Sequence, residues 1–375
     1  MKAHTFTLET ISPCFCGGAE PKELAEIRAP SIRGQLRWWF RTLGGFKNLD
    51  GQTIREQEQQ IFGSIAGTTG LAGKLAVRIL PRASRPAVVD CQGLGYRQFS
   101  DESYLTFPIQ SRQEFNGRGV LLTGSSFELT AIWRGDRRLD ESINALISVF
   151  AHIGSLGFRG RRAMGALGFC NSGNPNALSL QDALAHFGRP QDLQIRCLRA
   201  TTADGVISSL GAWLRQWRAH GRTQDHRLNR GDHTKPPLNK GFGYAKRNHD
   251  LGYGLQDSRN LPAYRPPLGL PIIQRTGRGT NTWNWGPGRN QGRFASPVLL
   301  RPYRTLTGQW LPLVIFANAH RWPAGHGVHQ RMAAGGRGQA QEVEHAVSLD
   351  LYDAMRNDPD LRPLAAEILR AKPVA

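Results

Sequence analysis

Residues 28–45, RAPSIRGQLRWWFRTLGG, restrict the fold more than any other stretch because two helical patterns overlap in them. Four apolar residues recur at steps of four, three and four and predict one buried helix face: Ile32, Leu36, Trp39 and Leu43. Three arginines recur at steps of four and predict a cationic ridge beside that face: Arg33, Arg37 and Arg41. Such a helix rests on a core with one face and presents arginines along the other.

The ends of this helix are also marked in the sequence. Pro30 suits a first helical turn, and Ser31 is predicted to cap the unpaired amides there. Gly44 and Gly45 predict the end of the helix.

The arginine ridge has no counter-ion near it in the sequence, since no acid lies between Glu26 and Asp50. Like charges one helical turn apart repel each other, so the ridge favours an anionic ligand. The Trp-Trp-Phe run within the helix favours RNA, because aromatic rings beside arginines suit base stacking combined with phosphate contact. The alternative is a core helix whose arginine edge is solvated.

The charge balance of the whole chain supports an anionic partner. Its 375 residues suit two domains, and its net charge of +19 predicts a polyanionic ligand. Only eight of the 48 cationic residues are lysines. Arginine predominates, and its planar fork pairs with phosphate and stacks on bases. An arginine-rich genome is an alternative source of part of this bias.

Several function classes lack their sequence signatures. No apolar run approaches the roughly 18 residues of a membrane span, and the first ten residues contain no signal-peptide core. The five cysteines include no C-x-x-C pair, so we expect reduced thiols in the cytoplasm without disulfides. Phosphate-loop, dinucleotide, serine-hydrolase and metalloprotease motifs are also missing. We therefore expect no cofactor, no metal and no membrane partner.

The order of predicted elements in the first half indicates an α+β fold. Strands are predicted at 4–11, 74–80 and 126–133, and a last one at 166–170. The arginine helix follows the first strand, and a helix at 139–154 follows the third. Strand, helix, strand, strand, helix and strand is the ferredoxin-like order. A further helical turn is predicted at 56–63, a glycine loop at 67–73 and irregular structure at 81–119.

Residues 154–169, GSLGFRGRRAMGALGF, form a second basic feature, with five glycines and no acid. Glycines allow a backbone to approach another chain closely, and their amides can cradle phosphates. The predicted RNA contacts in this glycine loop are Gly157, Phe158, Arg159, Gly160, Arg161 and Arg162. The alternative is a flexible exposed loop.

The second half contains a long stretch, 258–341, without Asp or Glu. Arginines and tryptophans alternate there in the manner of a single-strand RNA channel, with predicted contacts at Arg278, Trp283, Trp285, Arg289 and Arg293. The alternative is a loop insert whose lack of acids arose by chance. Around it, the pattern predicts a helix at 207–221, a long loop at 221–260 and acidic helices at 342–371.

Four motifs together resemble the RAMP superfamily of CRISPR proteins. They are the strand ending in SPCFCGG, the SIRGQLRWWFR helix, the IFGS turn and the GSLGFRGRRAMGALGF loop. Within this superfamily, the helix most resembles the family that supplies the first subunit of the Cmr complex, the type III-B RNA-targeting effector. Two later motifs resemble the same family: LGLPI at 268–272 and RFASPVLLRPY at 293–303.

This resemblance implies an α+β fold of two tandem ferredoxin-like (RRM-like) domains with long loop insertions, at residues 1–172 and 173–375. It implies a non-catalytic, RNA-binding subunit that sits towards the 3′ end of the guide RNA. The implied partners are CRISPR guide RNA, single-stranded target RNA and the other Cmr subunits.

Two other functions stay open at this point. Some RAMP proteins cut repeat RNA with a histidine base, and His152, just before the glycine loop, is the nearest candidate. In those members the glycine loop lies near the C-terminus, whereas here it ends near residue 169, and a histidine on an apolar helix end is more often packed in the core. A basic RNA-binding protein outside CRISPR would not be expected to combine both the helix and the loop motifs.

Overall fold

The computed structural model describes residues 1–18, 20, 23–47, 51–66, 69–89, 92–96, 100–106, 118–218, 240–241, 243–244, 247, 262–269, 272–276, 279–284, 294–317, 327–332 and 341–373. The chain forms two compact units that are both discontinuous in sequence. Unit 1 contains Met1–Leu210, Leu299–Ile315 and Arg362–Ala375, and unit 2 contains Gly211–Val298 and Phe316–Leu361. This division differs from a single boundary at residue 172, and the two predicted domain ranges stay a prediction.

The N-terminal elements alternate between strands and helices. The strands are β1 (Lys2–Thr10), β2 (Ser64–Ala66), β3 (Thr69–Leu71), β4 (Leu75–Ala83), β5 (Pro86–Val89), β6 (Arg118–Leu121), β7 (Ser126–Trp133) and β8 (Leu167–Phe169). The helices are α1 (Ala29–Thr42), α2 (Ile54–Phe62), α3 (Asp101–Leu105), α4 (Asp140–Ile153) and α5 (Leu180–Leu184).

The first sheet has the predicted ferredoxin-like order. Its strands lie in the order β4-β7-β1-β8, and the three pairings are antiparallel. In chain order this is second, third, first and fourth strand, with α1 after the first and α4 after the third. The strand–helix order predicted for the first half is therefore confirmed, as is the α+β class.

Alternating burial explains why β1 and β7 form the centre of this sheet. In β1, Phe6 and Leu8 are buried on one face, while their neighbours are half-buried. Leu8 lies opposite Phe127 of β7 on one side and Phe169 of β8 on the other. Such cross-strand apolar rows stabilise a sheet and fix its register.

The C-terminal elements form two further four-stranded sheets. The strands are β9 (Gln194–Cys197), β10 (Ile272–Thr276), β11 (Gly279–Asn284), β12 (Val298–Arg304), β13 (Trp310–Phe316), β14 (Val328–Met332), β15 (Gln341–His345) and β16 (Arg362–Pro363). The helices are α6 (Gly205–Arg218), α7 (Asp350–Arg356) and α8 (Ala366–Arg370).

The second sheet repeats the strand order of the first. Its order is β12-β13-β9-β16, again second, third, first and fourth in the chain. The third sheet, β10-β11-β14-β15, is antiparallel. Its first two strands lie between α6 and β12 in the sequence, and its last two lie between β13 and α7.

Three predictions of local structure are wrong. The start of the acidic helix at 342–371 is strand β15, which pairs with β14, because a neighbouring strand offers its backbone partners there. Within the predicted glycine loop at 67–73, residues 69–71 are strand β3, which pairs with β2 as an antiparallel hairpin. The stretch predicted to be irregular, 81–119, contains the paired strands β5 and β6 and the helix α3. Most of the predicted loop at 221–260 lies outside the described residues.

The structure gives the state of the described cysteines and the character of the described helices. The four described cysteines, Cys14, Cys16, Cys170 and Cys197, form no disulfide, and Cys91 lies outside the described residues. Among the described helices, none has the length and apolar character that a membrane crossing requires.

Candidate nucleic-acid interface

Helix α1 begins and ends close to the predicted positions, but its N-terminal cap differs. Arg28 is the N-cap residue in extended conformation, and no side chain caps the helix there. The prediction that Ser31 is the cap is therefore wrong, because Ser31 lies within the first turn. Gly44 and Gly45 adopt positive φ angles of 79° and 72°, and these left-handed residues end the helix.

The apolar face of α1 is buried as predicted. Its four members are at most 1% exposed: Ile32, Leu36, Trp39 and Leu43. Phe40 is also fully buried, against Phe46 and Phe62. This burial fixes the rotation of the helix and therefore the direction in which the arginine ridge points.

The arginine ridge has a counter-ion that its sequence neighbourhood does not reveal. Glu58 of α2 accepts hydrogen bonds from Arg37 Nε and, at 2.6 Å, from Arg41 Nε. The expectation of an unneutralised ridge is corrected, because tertiary packing brings an acid from outside the stretch 26–50. Burial raises the pKa of Glu58, but hydrogen bonds from Arg41 and Arg37 outweigh it and hold that pKa below the usual value.

Arg33 is held by the end of the same helix. Its Nη2 donates a hydrogen bond to the carbonyl oxygen of Phe62 at 2.8 Å, and Phe62 is the last residue of α2. A guanidinium at a helix C-terminus complements the helix dipole. Thr53 and Glu56 form a capping box at the other end of α2 and so fix where this helix starts.

A cavity of about 730 Å³ opens beside the ridge. It lies between α1, α2 and the hairpin β2–β3, and its charged lining is Arg33, Arg37, Arg41, Arg55 and Glu58. The lining thus contains four guanidinium groups and one carboxylate, so its net charge is positive. We call this cavity the arginine pocket.

The glycine loop has internal contacts at each of its three arginines. Arg159 adopts a positive φ of 64° and donates from Nε to the carbonyl oxygen of Leu105 at 2.6 Å. The Arg161 guanidinium lies over the Trp38 ring, 4.2 Å from its centroid. Arg162 is only 8% exposed. The loop is therefore anchored to the fold, and the alternative of a flexible exposed loop does not describe it.

Backbone contacts fix the same loop at Gly157 and at its two ends. Gly157 has a φ of 76°, and a Cβ there would lie 2.5 Å from the carbonyl oxygen of Phe15. Phe158 N donates to that same oxygen at 2.8 Å. The buried Arg301 donates to the carbonyl oxygens of Gly154 and Leu167, which flank the loop.

Trp38 joins the two basic features. It is half-buried and packs edge-on against Trp39 at 4.7 Å between ring centroids. The Arg161 guanidinium also lies over the Trp38 ring, as a cation–π pair. The α1 helix therefore carries the arginine pocket and also supports the glycine loop.

Of the RNA contacts predicted in the C-terminal half, the structure describes Trp283, which is buried and not exposed. Trp283 is 2% exposed and belongs to strand β11, where it packs with Ala263 and Val328. The expectation of an exposed loop is wrong at this residue, because its indole supplies the core of the third sheet. Arg278, Trp285, Arg289 and Arg293 lie outside the described residues.

His152 has the surroundings of a packed core histidine. It is 2% exposed, its Nε2 lies 2.9 Å from the carbonyl oxygen of Leu178, and its ring packs on Phe169. Burial lowers the pKa of His152 to about 4, against the hydrogen bond to Leu178 and with a smaller effect of Arg301.

Sequence reasoning missed most of the residues that line the arginine pocket. Glu58, Arg55 and Gln59 line it from α2, and Ile65 and Leu71 line it from the hairpin. The predicted helical turn at 56–63 contained Glu58 and Gln59, but nothing in the local pattern indicates that they face α1. Only the tertiary packing of α2 against α1 brings these residues together.

Comparison with known families gives a match to the N-terminal part of the chain. Residues 7–168 match the family model of RAMPs, the RAMP superfamily. This span runs from β1 through α1 and the arginine pocket to the glycine loop and β8. Over this span the chain is similar to the RAMP superfamily.

Two curated relatives and one solved structure narrow the similarity to Cmr subunit 1. The chain is 29% identical over 169 residues to CRISPR system Cmr subunit Cmr1-1 of Pyrococcus furiosus, covering 43% of this chain and 46% of that protein. It is 28% identical over 177 residues to Cmr1-2 of the same organism, covering 43% of this chain and 92% of the relative. The matched region spans about half the length of the first relative.

The solved structure supports the similarity at the level of the fold. The crystal structure of Cmr1 from Pyrococcus furiosus in its apo form aligns with 84% of this chain and 88% of its own, at a TM-score of 0.51. The sequence identity is 16%, so this likeness concerns the fold alone.

Proposed function

We propose that this chain is a non-catalytic, RNA-binding subunit of a type III-B CRISPR (Cmr) ribonucleoprotein that acts in antiviral defence in the cytoplasm. In this proposal it binds guide RNA towards its 3′ end, target single-stranded RNA, or both, and contacts other Cmr subunits. The similarity to Cmr1-1 and Cmr1-2 supports the assembly.

The arginine pocket is the observation that carries RNA binding. Four arginines and one carboxylate line a concave site, within a chain of net charge +19. Arginine pairs with phosphate through parallel N–H donors, and basic grooves follow nucleic-acid backbones. A site with this excess of guanidinium groups suits a phosphate chain better than a neutral ligand.

We also infer that the first and second sheets are the cores of tandem ferredoxin-like domains. Both have the strand order second, third, first, fourth, and in both a helix follows the first and the third strand of the chain. Both sheets fall in unit 1 except for Val298 and Phe316, so this inference rests on strand order and not on the two units. The third sheet, in unit 2, is then an insertion into the second domain. Ferredoxin-like sheets are a common platform for single-stranded RNA.

No described contact favours the alternative of a repeat-cutting endoribonuclease. A general base has to reach the proton it removes and needs a pKa near the working pH. His152 is enclosed, and its pKa is about 4. Incubation of labelled repeat RNA with the pure protein, with and without Mg²⁺, is expected to give no cleavage; discrete cuts abolished by His152→Ala would favour the nuclease.

The decisive experiment is isolation of the tagged chain from its native cell. We expect a repeat-derived guide RNA and several other Cmr subunits to co-purify with it. Recovery of the chain alone, or with RNA of no common origin, would contradict a place in a guide-RNA complex.

A further inference from the structure

We propose that the arginine pocket holds one phosphorylated nucleoside unit of an RNA strand, with Glu58 as an internal competitor for the phosphate. This inference rests on the proposed function, because it assigns a place to one nucleotide of the bound RNA. Its basis is the shape of the pocket, the two kinds of wall and the contacts of its arginines.

The size and lining of the pocket match a nucleotide. Small-molecule sites commonly enclose about 300–1,000 Å³, and this cavity has about 730 Å³. One wall is cationic, from α1 and α2, and the other is apolar, from Ile65 and Leu71 of the hairpin. These two side chains are 87% and 50% exposed, so the hairpin presents apolar surface that a base or ribose would cover.

The base of the hairpin lies close against the end of α2. A Cβ at Gly63 would lie 2.7 Å from the carbonyl oxygen of Leu71. A Cβ at Gly73 would lie 2.6 Å from the backbone of Phe62 and 2.9 Å from Nη2 of Arg33. The two glycines allow the hairpin to meet the end of α2, directly beside the Arg33 guanidinium.

The arginines of the pocket keep donors for a phosphate. Arg33 and Arg37 each use one N–H group in the described contacts, and a guanidinium carries several. Arg55 is exposed and makes no ion pair within the described part of the chain. Phosphate oxygens would therefore find charge-assisted donors from two helices at once.

Glu58 occupies the place that an anion would take between Arg37 and Arg41. Its side chain is 8% exposed, while those of Arg37 and Arg41 are 36% and 52% exposed. A bound phosphate shares these two arginines with the carboxylate and is repelled by its charge. Removal of the negative charge is thus expected to tighten RNA binding, whereas removal of an arginine weakens it.

The test measures binding of a labelled single-stranded RNA to the full chain and to four variants. For Arg33→Ala combined with Arg55→Ala we expect affinity to fall by about tenfold. For Glu58→Gln we expect it to rise by about threefold. The control is Arg82→Ala, which removes an arginine that is 53% exposed and paired with Glu128 outside the pocket, and should change affinity less than about twofold.

Gly73→Ala is the fourth variant and tests the wall without altering charge. The added methyl group displaces Arg33 and the hairpin, so RNA binding should weaken. A 4-thiouridine in the RNA should crosslink to residues 64–71 in the wild type, as identified by mass spectrometry. Melting temperatures establish that each variant is folded, and the crosslink gives a result in the wild type even where a variant does not fold.

The outcomes separate this inference from the proposed function. If the wild type binds no single-stranded RNA, the proposed function fails. If it binds RNA but the arginine variants and Glu58→Gln match the wild type, and no crosslink reaches 64–71, the pocket is not on the RNA path. AMP that binds as tightly as the RNA and competes with it would make the pocket a free-nucleotide site and overturn the proposal.

Discussion

Leu36 and Arg37 are adjacent in α1 but have opposite expected roles. Leu36 is fully buried, so Leu36→Ala is expected to lower the free energy of unfolding by about 2–5 kcal/mol. Arg37→Ala leaves Glu58 paired with Arg41, and a partly exposed ion pair contributes little, so we expect a loss below about 1 kcal/mol. Denaturant unfolding measures both; a larger loss for Arg37→Ala would assign the ridge to the structural core.

His152 predicts a specific pH dependence of stability. Above pH 6.5 the ring is neutral in both folded and unfolded chains. Between pH 6.5 and about 4 the unfolded ring binds a proton while the buried ring does not. The unfolded state is therefore stabilised relative to the folded state, and the free energy of unfolding falls as the pH falls. This amounts to about 3 kcal/mol over the whole window and about 2 kcal/mol by pH 5.

The measurement compares the free energy of unfolding at pH 7 and pH 5 in the wild type and in His152→Gln. The variant should lose about 2 kcal/mol less than the wild type over this range. His186→Gln is the control, because its ring is only half-buried. Equal losses in the wild type and His152→Gln would show that the buried ring is not the source.

At the scale of elements, the glycine loop predicts a contrast between two of its glycines. Gly157→Ala places a Cβ 2.5 Å from the carbonyl oxygen of Phe15 at a φ of 76°, which should cost roughly 1–3 kcal/mol. At Gly160 a Cβ would have its nearest contact at 3.4 Å and no positive φ, so Gly160→Ala should be tolerated. Thermal melting of the two variants tests this; equal melting temperatures would contradict the anchoring of the loop.

Replacing Arg159, Arg161 and Arg162 together by alanine is expected to lower the melting temperature. The triple variant loses the hydrogen bond to Leu105, the stacking on Trp38 and a buried side chain. Arg161→Ala alone is a better probe of RNA contact, because it leaves the other two anchors in place. If the triple variant melts like the wild type, these internal contacts add nothing to stability.

The sequence predicted elements where periodicity and packing agree. Helix α1 and strand β7 have one consistent apolar face each, and that face is the buried one. The sequence did not predict strand β15, because the alternating acids Glu342 and Glu344 are compatible with a helix as well as with a strand. The hairpin β2–β3 was missed because its strands, SIA and TGL, have only three residues each, which is too short for an alternating pattern to be recognised.

At the scale of the whole molecule, the charge of the chain predicts steeply salt-dependent RNA binding. Each neutralised phosphate of a single strand should contribute a slope of roughly −0.7 to log K against log salt concentration. Fluorescence anisotropy over a salt series measures the slope, and duplex DNA of the same length serves as the comparison. A salt-insensitive affinity, or equal affinity for the duplex, would argue against a single-strand site.

The candidate site could be predicted only in part, since it is assembled from both local and distant residues. Arg33, Arg37 and Arg41 follow from one helical repeat, and the structure places them in a single pocket. Glu58 and Arg55 join them through the packing of α2, which no local pattern specifies. Trp283 shows the reverse case, in which an aromatic–basic composition indicated a surface and the side chain supplies a core.

The strand order of the second sheet has a consequence for synthesis of the chain. β9 ends at Cys197, whereas its neighbours β13 and β16 begin at Trp310 and Arg362. The first sheet, by contrast, is complete once Phe169 has left the ribosome. Unpaired strand edges are sites of aggregation, and distant pairings form slowly. The nascent chain therefore carries a finished first sheet, while strand β9 keeps at least one unpaired edge until residues 362–363 have been translated.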